Sequence, residues 1–419
     1  MKLLKFHLRY HPPGIILEYT KKGIVKSKDI DLLELNCNSD VKQIADNLQQ
    51  KEALITDEVR EQLEQCLVTL KKRIEHEGPT GKRFYIYKTL VTHLLPLTNV
   101  AFDKAGSRCI TGSYDRTCKV WDVETGGELK TLSGHQNVVY SVGFNYPICN
   151  LVVTGSFDKS ARIWRMDTGE CVSTLWGHSA EIVAAQFAPR GAHVATASMD
   201  HTAKLYDALT GTEVHTYIGH SAEVIALQFD PTEGQRLITG SFDGTICMWD
   251  TRIKERVAVL SGHTAEISNA QYNWDSSLVG SASLDGSAKL WDTRERTCIA
   301  TVTAAAAEVL DVCFDWAGRR LATAGSDGTA RVYEALADCR ELATMQGHRE
   351  EISKVCFSPA GGCLLTASAD KTARIWNAST GNCVQVLSGH QGEIFSCAFS
   401  YAGDTVVTAS KDNTCRIWR

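Results

Sequence analysis

The sequence predicts an all-β protein, an eight-bladed propeller, preceded by a small N-terminal α+β domain. Three observations carry this. A tryptophan or tyrosine recurs at Trp121, Trp164, Tyr206, Trp249, Trp291, Tyr333, Trp376 and Trp418, at spacings of 43, 42, 43, 42, 42, 43 and 42 residues. A mid-repeat aspartate precedes every one of them: Asp115, Asp158, Asp200, Asp243, Asp285, Asp327, Asp370 and Asp412. Short β-rich runs separated by turn residues fill each interval. A unit of about 42 residues that cannot bury its own face must stack on its copies.

The repeat at 262–303 shows the unit most clearly. An alternating run at 266–272 leads into a turn at 273–276. A second strand at 277–283 precedes a tight Asp285-Gly286 turn. A third strand ends at Trp291, and a fourth follows at 297–303. Four strands per repeat, eight times over, make a propeller over residues 84–419. The last repeat stops after its third strand. Residues 84–91 precede His93 as 297–303 precede the next repeat, so they are expected to complete blade eight and remove an open edge.

Residues 1–80 do not repeat. Leu4, Phe6, Leu8 and Tyr10 alternate with Lys5, His7 and Arg9, and Ile15, Leu17 and Tyr19 alternate after a turn, which predicts strands. Apolar stripes at Val41, Ile44, Ala45 and Leu48, and at Val59, Leu63, Cys66, Leu67, Leu70 and Ile74, predict two helices. Residues 77–82 form the expected linker.

Composition narrows the function classes. The net charge of −5 excludes a polybasic nucleic-acid binder, and residues 1–80 balance 13 basic against 13 acidic side chains. The 15 cysteines contain no Cys-x-x-Cys pair, so they read as small core hydrophobes in a reducing compartment. Neither a metal nor a cofactor is expected. Lys5, His7 and Arg9 interrupt any signal segment, and no run reaches the roughly 18 apolar residues of a membrane span. The expectation is a soluble, intracellular monomer.

Gly-His pairs stand at 134–135, 177–178, 219–220, 262–263, 347–348 and 389–390. With the Ser-x-Asp and Trp-Asp elements they resemble the WD-repeat family, over residues 84–419. That resemblance implies a buried hydrogen-bonded tetrad in each blade, Trp to Ser to His to Asp. Six sets read as complete: His93, Ser113, Asp115 and Trp121; His135, Ser156, Asp158 and Trp164; His220, Ser241, Asp243 and Trp249; His263, Ser283, Asp285 and Trp291; His348, Ser368, Asp370 and Trp376; His390, Ser410, Asp412 and Trp418. Six copies of Ser, His and Asp argue for structure, since a catalytic triad is normally unique. Blade three has Tyr206 for tryptophan. Blade six keeps only Asp327, with Ala305, Gly325 and Tyr333 in the other places, and is expected to be the least rigid.

Two further sets are candidate partner-binding residues. The residue before the turn aspartate is Tyr114, Phe157, Met199, Phe242 and Leu284 in blades one to five, but Ser326, Ala369 and Lys411 in the rest. Five apolar turn tips in adjacent blades form a candidate patch. Three residues after the loop histidine stand Glu181, Glu223, Glu266, Glu308, Glu351 and Glu393. They read either as an acidic docking ring or, as the favoured alternative, as partners of Lys119, Arg162, Lys204, Lys289, Arg331, Arg374 and Arg416.

The segments at 7–15, 95–100 and 411–419 are similar to the family of WD-repeat assembly factors for axonemal outer dynein arms. This resemblance implies a non-enzymatic adaptor between the outer dynein arm complex and an intraflagellar transport train subunit, located in cytoplasm and cilium. A general WD-repeat scaffold, such as a ubiquitin-ligase substrate receptor, is the alternative.

Overall fold

The structure, a computed structural model, describes residues 2–9, 13–21, 24–32, 35, 39–52, 54–56, 59–76, 83–303, 307–336 and 338–419. The expected linker at 77–82 and Ala305 lie outside these. The chain divides into two compact units, residues 1–82 and 83–419.

The first unit holds strands β1 (Lys2–Arg9), β2 (Gly14–Lys21) and β3 (Ile24–Asp31), then helices α1 (Val41–Lys51) and α2 (Arg60–His76). The strands form one antiparallel sheet in the order β1-β2-β3. Asp40 caps α1 by accepting the Lys42 N–H at 2.9 Å, which satisfies an otherwise orphaned helix donor. The alternating residues of β2 and the helical stripes meet in one core, where Ile15, Leu17, Ala45, Leu63 and Leu67 are fully buried. Period two on the sheet and period 3.6 on the helices therefore point at the same interior.

The second unit is eight four-stranded antiparallel sheets. The first strand of each sheet packs against the first strands of the sheets before and after it, and the eighth meets the first, so the inner strands close a ring. Seven sheets take four consecutive strands. The eighth takes three, ending at Cys415–Trp418, and its fourth is β4 (Ile86–Leu90). Leu90 lies opposite Cys415 and Ile86 opposite Trp418. Tyr85 and Arg419 exchange both backbone hydrogen bonds at 2.9 and 3.0 Å, and the Gln385 side chain holds the backbone of Phe84. The seam thus uses the same ladder as any interior strand pair.

Blade six is anchored differently from the others. Its inner strand, Val309–Phe314, carries Asp311, which is 2% exposed. Asp311 accepts the Val355 N–H at 2.9 Å and pairs with Lys354 Nζ at 3.2 Å, both from blade seven. From the other side, Asn269 Nδ2 of blade five donates to it. One carboxylate therefore ties three consecutive blades at their inner strands.

Candidate partner-binding face

Seven of the eight repeats, all but the sixth, join a histidine loop to an Asp turn at the same end of the sheet through a buried chain of hydrogen bonds. In blade one Trp121 Nε1–H donates to Thr111 Oγ1 at 2.9 Å. The Thr111 hydroxyl lies 2.8 Å from His93 Nε2, and His93 Nδ1 lies 2.7 Å from Asp115 Oδ2. The chain is satisfied at every atom when the imidazole is neutral with its proton on Nδ1. Asp115 also receives the Leu94 and Thr117 N–H groups, so one carboxylate joins the histidine loop to the turn.

The structure corrects the hydroxyl of this tetrad. It is Thr111, Thr154, Thr239, Ser281, Thr366 and Thr408, at 2.8–3.0 Å from the indole nitrogen. It is not Ser113, Ser156, Ser241, Ser283, Ser368 and Ser410. Strand geometry explains the difference. Trp121 lies opposite Cys109, so Thr111 is two residues along and Ser113 four. At about 3.3 Å per residue those are offsets of about 7 and 13 Å, and only the nearer is within reach of an indole. Each serine has another task. Its Oγ accepts the N–H of the turn aspartate at 3.1 Å and donates to a carbonyl of the histidine loop.

The same shift changes the reading of the divergent blades. Blade three keeps His178, Thr196 and Asp200 in contact, and the Tyr206 hydroxyl donates to the Trp176 carbonyl instead. Blade six keeps Thr323, 3% exposed, as well as Asp327. The carboxylate of Asp327 receives the Thr329 N–H and Oγ–H and the Arg331 guanidinium.

Electrostatics follow from burial. His220, His263, His348 and His390 are held below the usual imidazole range, because desolvation outweighs the attraction of the facing aspartate. Burial pushes the carboxyl of Asp412 up, yet bonds from Thr414, Gln391 and His390 prevail and bring it down to about 2. In these four blades burial therefore favours the neutral imidazole facing a carboxylate. The glycine before the histidine also has a physical role. Gly262 has φ of 156°, and a Cβ there would sit 3.3 Å from the Trp291 ring.

The two candidate partner sets lie side by side on this face. In blades three to eight the N–H of the turn tip bonds to the carbonyl of the loop glutamate: Met199 to Glu181, Phe242 to Glu223, Leu284 to Glu266, Ser326 to Glu308, Ala369 to Glu351 and Lys411 to Glu393, at 2.8–3.0 Å; Tyr114 and Phe157 bond Pro96 and Val138 at the same place. The residue after the turn aspartate has positive φ in all eight blades, which turns the tip outward. Tyr114 and Phe242 are exposed, at 41% and 39%. Phe157, Met199 and Leu284 are half-buried. Phe157 stacks on Tyr140, with ring centroids 5.2 Å apart.

The favoured pairing of the glutamates is not what the structure shows. Lys119 pairs with Glu128, Lys204 with Glu213 and Arg331 with Asp327. Lys289 donates to Thr301. The guanidiniums of Arg162 and Arg374 lie over the indoles of their own blades, and that of Arg416 lies against Gly389. Lys119, Lys204 and Lys289 reach the fourth strand, while Arg162, Arg374 and Arg416 lie beside Gly134, Gly347 and Gly389, short of the glutamates further along the histidine loops. Among the described residues, Glu393 alone of the six has an ion-pair partner, Lys411 at 2.9 Å.

Sequence reasoning missed three exposed apolar residues on these loops and inner strands: Leu94 at 82%, Leu95 at 47% and Tyr140 at 42%. Leu94 was findable. It follows the histidine, where other blades place Gln136, Ser179, Ser221, Thr264, Arg349 or Gln391. No group of residues able to hold a metal occurs among the described residues, and no described helix is long and apolar enough to cross a membrane.

This architecture is that of a propeller protein-interaction scaffold. Residues 96–372 match the IFT122 first beta-propeller family, and residues 381–419 match the WD domain, G-beta repeat. The chain belongs to the WD-repeat family, with an IFT122-type propeller. It is 56% identical over 194 residues to the mouse protein named Dynein assembly factor with WD repeat domains 1, covering 46% of each chain. The human protein of that name is 54% identical over the same length and share, and the Xenopus laevis one 53% over 147 residues, 35% of each chain. The matches span between a third and a half of those relatives. A crystal structure of the computationally designed Ika8 protein superposes with a TM-score of 0.69 at 30% identity, covering 78% of this chain and 96% of that one.

Proposed function

We propose that this protein is a non-enzymatic adaptor in outer dynein arm assembly, binding dynein arm components and an intraflagellar transport subunit for delivery into the cilium. The observation that carries the reading is the half-ring on blades one to five. There Leu94, Tyr114, Tyr140, Phe157, Met199, Phe242 and Leu284 share the loops and inner strands with Glu181, Glu223 and Glu266, which form no ion pair among the described residues. Exposed apolar groups rimmed by charge are the composition of a partner site. The name shared by the relatives supplies the client class. The serines of the repeated Ser, His and Asp sets are fully buried and bonded to backbone, which favours a role in binding over one in catalysis.

The test is a triple variant, Tyr114→Ala, Phe157→Ala and Phe242→Ala. These side chains lie outside the tetrads, so thermal unfolding should change little. Capture of dynein arm components or of transport-train subunits from ciliated cells should weaken by about 1 kcal/mol or more per anchor, if each is a hot spot. Undiminished capture of both by the folded variant would refute the assignment of this face.

A further inference from the structure

The first unit carries a feature that the propeller reading leaves unused. Among the described residues, strand β1 pairs with β2 on one side only, and no strand lies along its other edge. An open groove of about 340 Å³ runs there, lined by Leu4, Lys5, Phe6 and Leu8 of β1 and by Gln62, Gln65, Cys66 and Thr69 of α2. Phe6 and Leu8 point to one face of the sheet and Lys5 to the other, since side chains alternate. A groove that takes in both parities lies along the edge of the strand, not over a face. An edge strand flanked by a helix is the geometry that accepts an additional strand, with backbone bonds to the edge and side-chain contacts to the helix.

Charge selects the occupant. On β1, His7 is held by Glu18 at 2.7 Å and Arg9 by Asp31. Lys5 is the one charged residue among those lining the groove, and the contribution of α2 is neutral. Leu4 is half exposed, and the register of β1 against β2 shifts between Leu3 and Lys5. A lysine and a bulge are devices that keep an edge from pairing with its own kind. A second copy would bring its own Lys5 to this cationic edge. An acidic strand would not be repelled. We propose that the outer edge of β1 and the flank of α2 bind an extended acidic segment of a partner protein by strand addition, with Lys5 facing a carboxylate and Leu4, Phe6 and Leu8 receiving apolar side chains.

The test uses the full chain and a terminally blocked eight-residue peptide alternating valine and glutamate. Occupancy is read by alkylation of Cys66, resolved by peptide mass spectrometry, with exposed Cys171, Cys298 and Cys383 as internal controls. The peptide should protect Cys66 and leave the three controls reactive. N-methylation of alternate peptide amides on the pairing side should weaken protection roughly tenfold or more, because it removes several backbone bonds at once. Lys5→Glu should weaken the glutamate peptide roughly two- to fivefold, as expected for one exposed ion pair, and favour a lysine counterpart. Three results would each overturn the proposal. One is no protection of Cys66 at the solubility limit of the peptide. Another is equal protection by the N-methylated peptide. The third is concentration-dependent dimerisation that itself protects Cys66, which would assign the edge to a second copy.

Discussion

Thr239→Val in blade four isolates the corrected tetrad hydroxyl. Thr239 is fully buried. Its Oγ1 accepts from Trp249 Nε1 at 2.8 Å and lies 2.8 Å from His220 Nε2. Valine keeps the shape but leaves an indole N–H and an imidazole nitrogen without partners. At about 1–3 kcal/mol for each buried unsatisfied group, partly relieved by relaxation, the expected loss is roughly 2–4 kcal/mol. Thr239→Ser keeps the hydroxyl, as Ser281 does naturally in blade five, and should cost only about 1 kcal/mol for the lost methyl group. Urea unfolding of these variants, combined with Trp249→Phe in a double-mutant cycle, measures the link directly. The Thr239→Val and Trp249→Phe pair should couple by roughly 1 kcal/mol or more, since the second change removes the donor that the first left stranded. Ser241→Ala with Trp249→Phe should be additive. Additivity in the first cycle, or equal losses for the valine and serine variants, would refute the reasoning.

Three other outcomes follow from the same geometry. The four histidines held below the ordinary imidazole value bind fewer protons folded than unfolded, so stability should be complete above about pH 6.5 and fall as the pH drops below it. Urea midpoints at pH 7.5 and 5.5 check this, and equal midpoints would contradict it. A chain beginning at residue 92 lacks β4 and should melt earlier and less cooperatively than one beginning at residue 83, as read by calorimetry; identical melts would show that the seam adds nothing. Asp311→Leu strands the Val355 N–H and the Asn269 amide, and should accelerate hydrogen exchange at the inner strands of blades five, six and seven together. Acceleration in blade six alone would deny the three-blade link.

The propeller was legible because its signal is a period, and a period survives the loss of individual residues. Tyr206 and Tyr333 still mark their blades although neither is a tryptophan. The tetrad was legible at three of its four members. The fourth was misplaced because the second strand carries hydroxyls at two positions of the same parity, Thr111 and Ser113, and only cross-strand register decides between them. Asp311 was invisible for the opposite reason. It occurs once, so no repetition announced it, and its partners lie some 43 residues away on either side. The glutamates were assigned wrong partners because charge counts match without regard to direction, and a strand sends alternate side chains to opposite faces.

The seam of the ring has a temporal meaning. Leu90 and Cys415, which face each other across it, are 325 positions apart in the chain. At about 5–20 residues per second, synthesis separates them by roughly a quarter of a minute to a minute. Throughout that interval β4 has no strand to pair with, and the blades already made form an arc with two bare ends. Any product terminated early keeps both ends bare for its lifetime. Until Cys415–Trp418 is made, β4 has no partner, so the bare β edges that invite aggregation persist until this one joint forms.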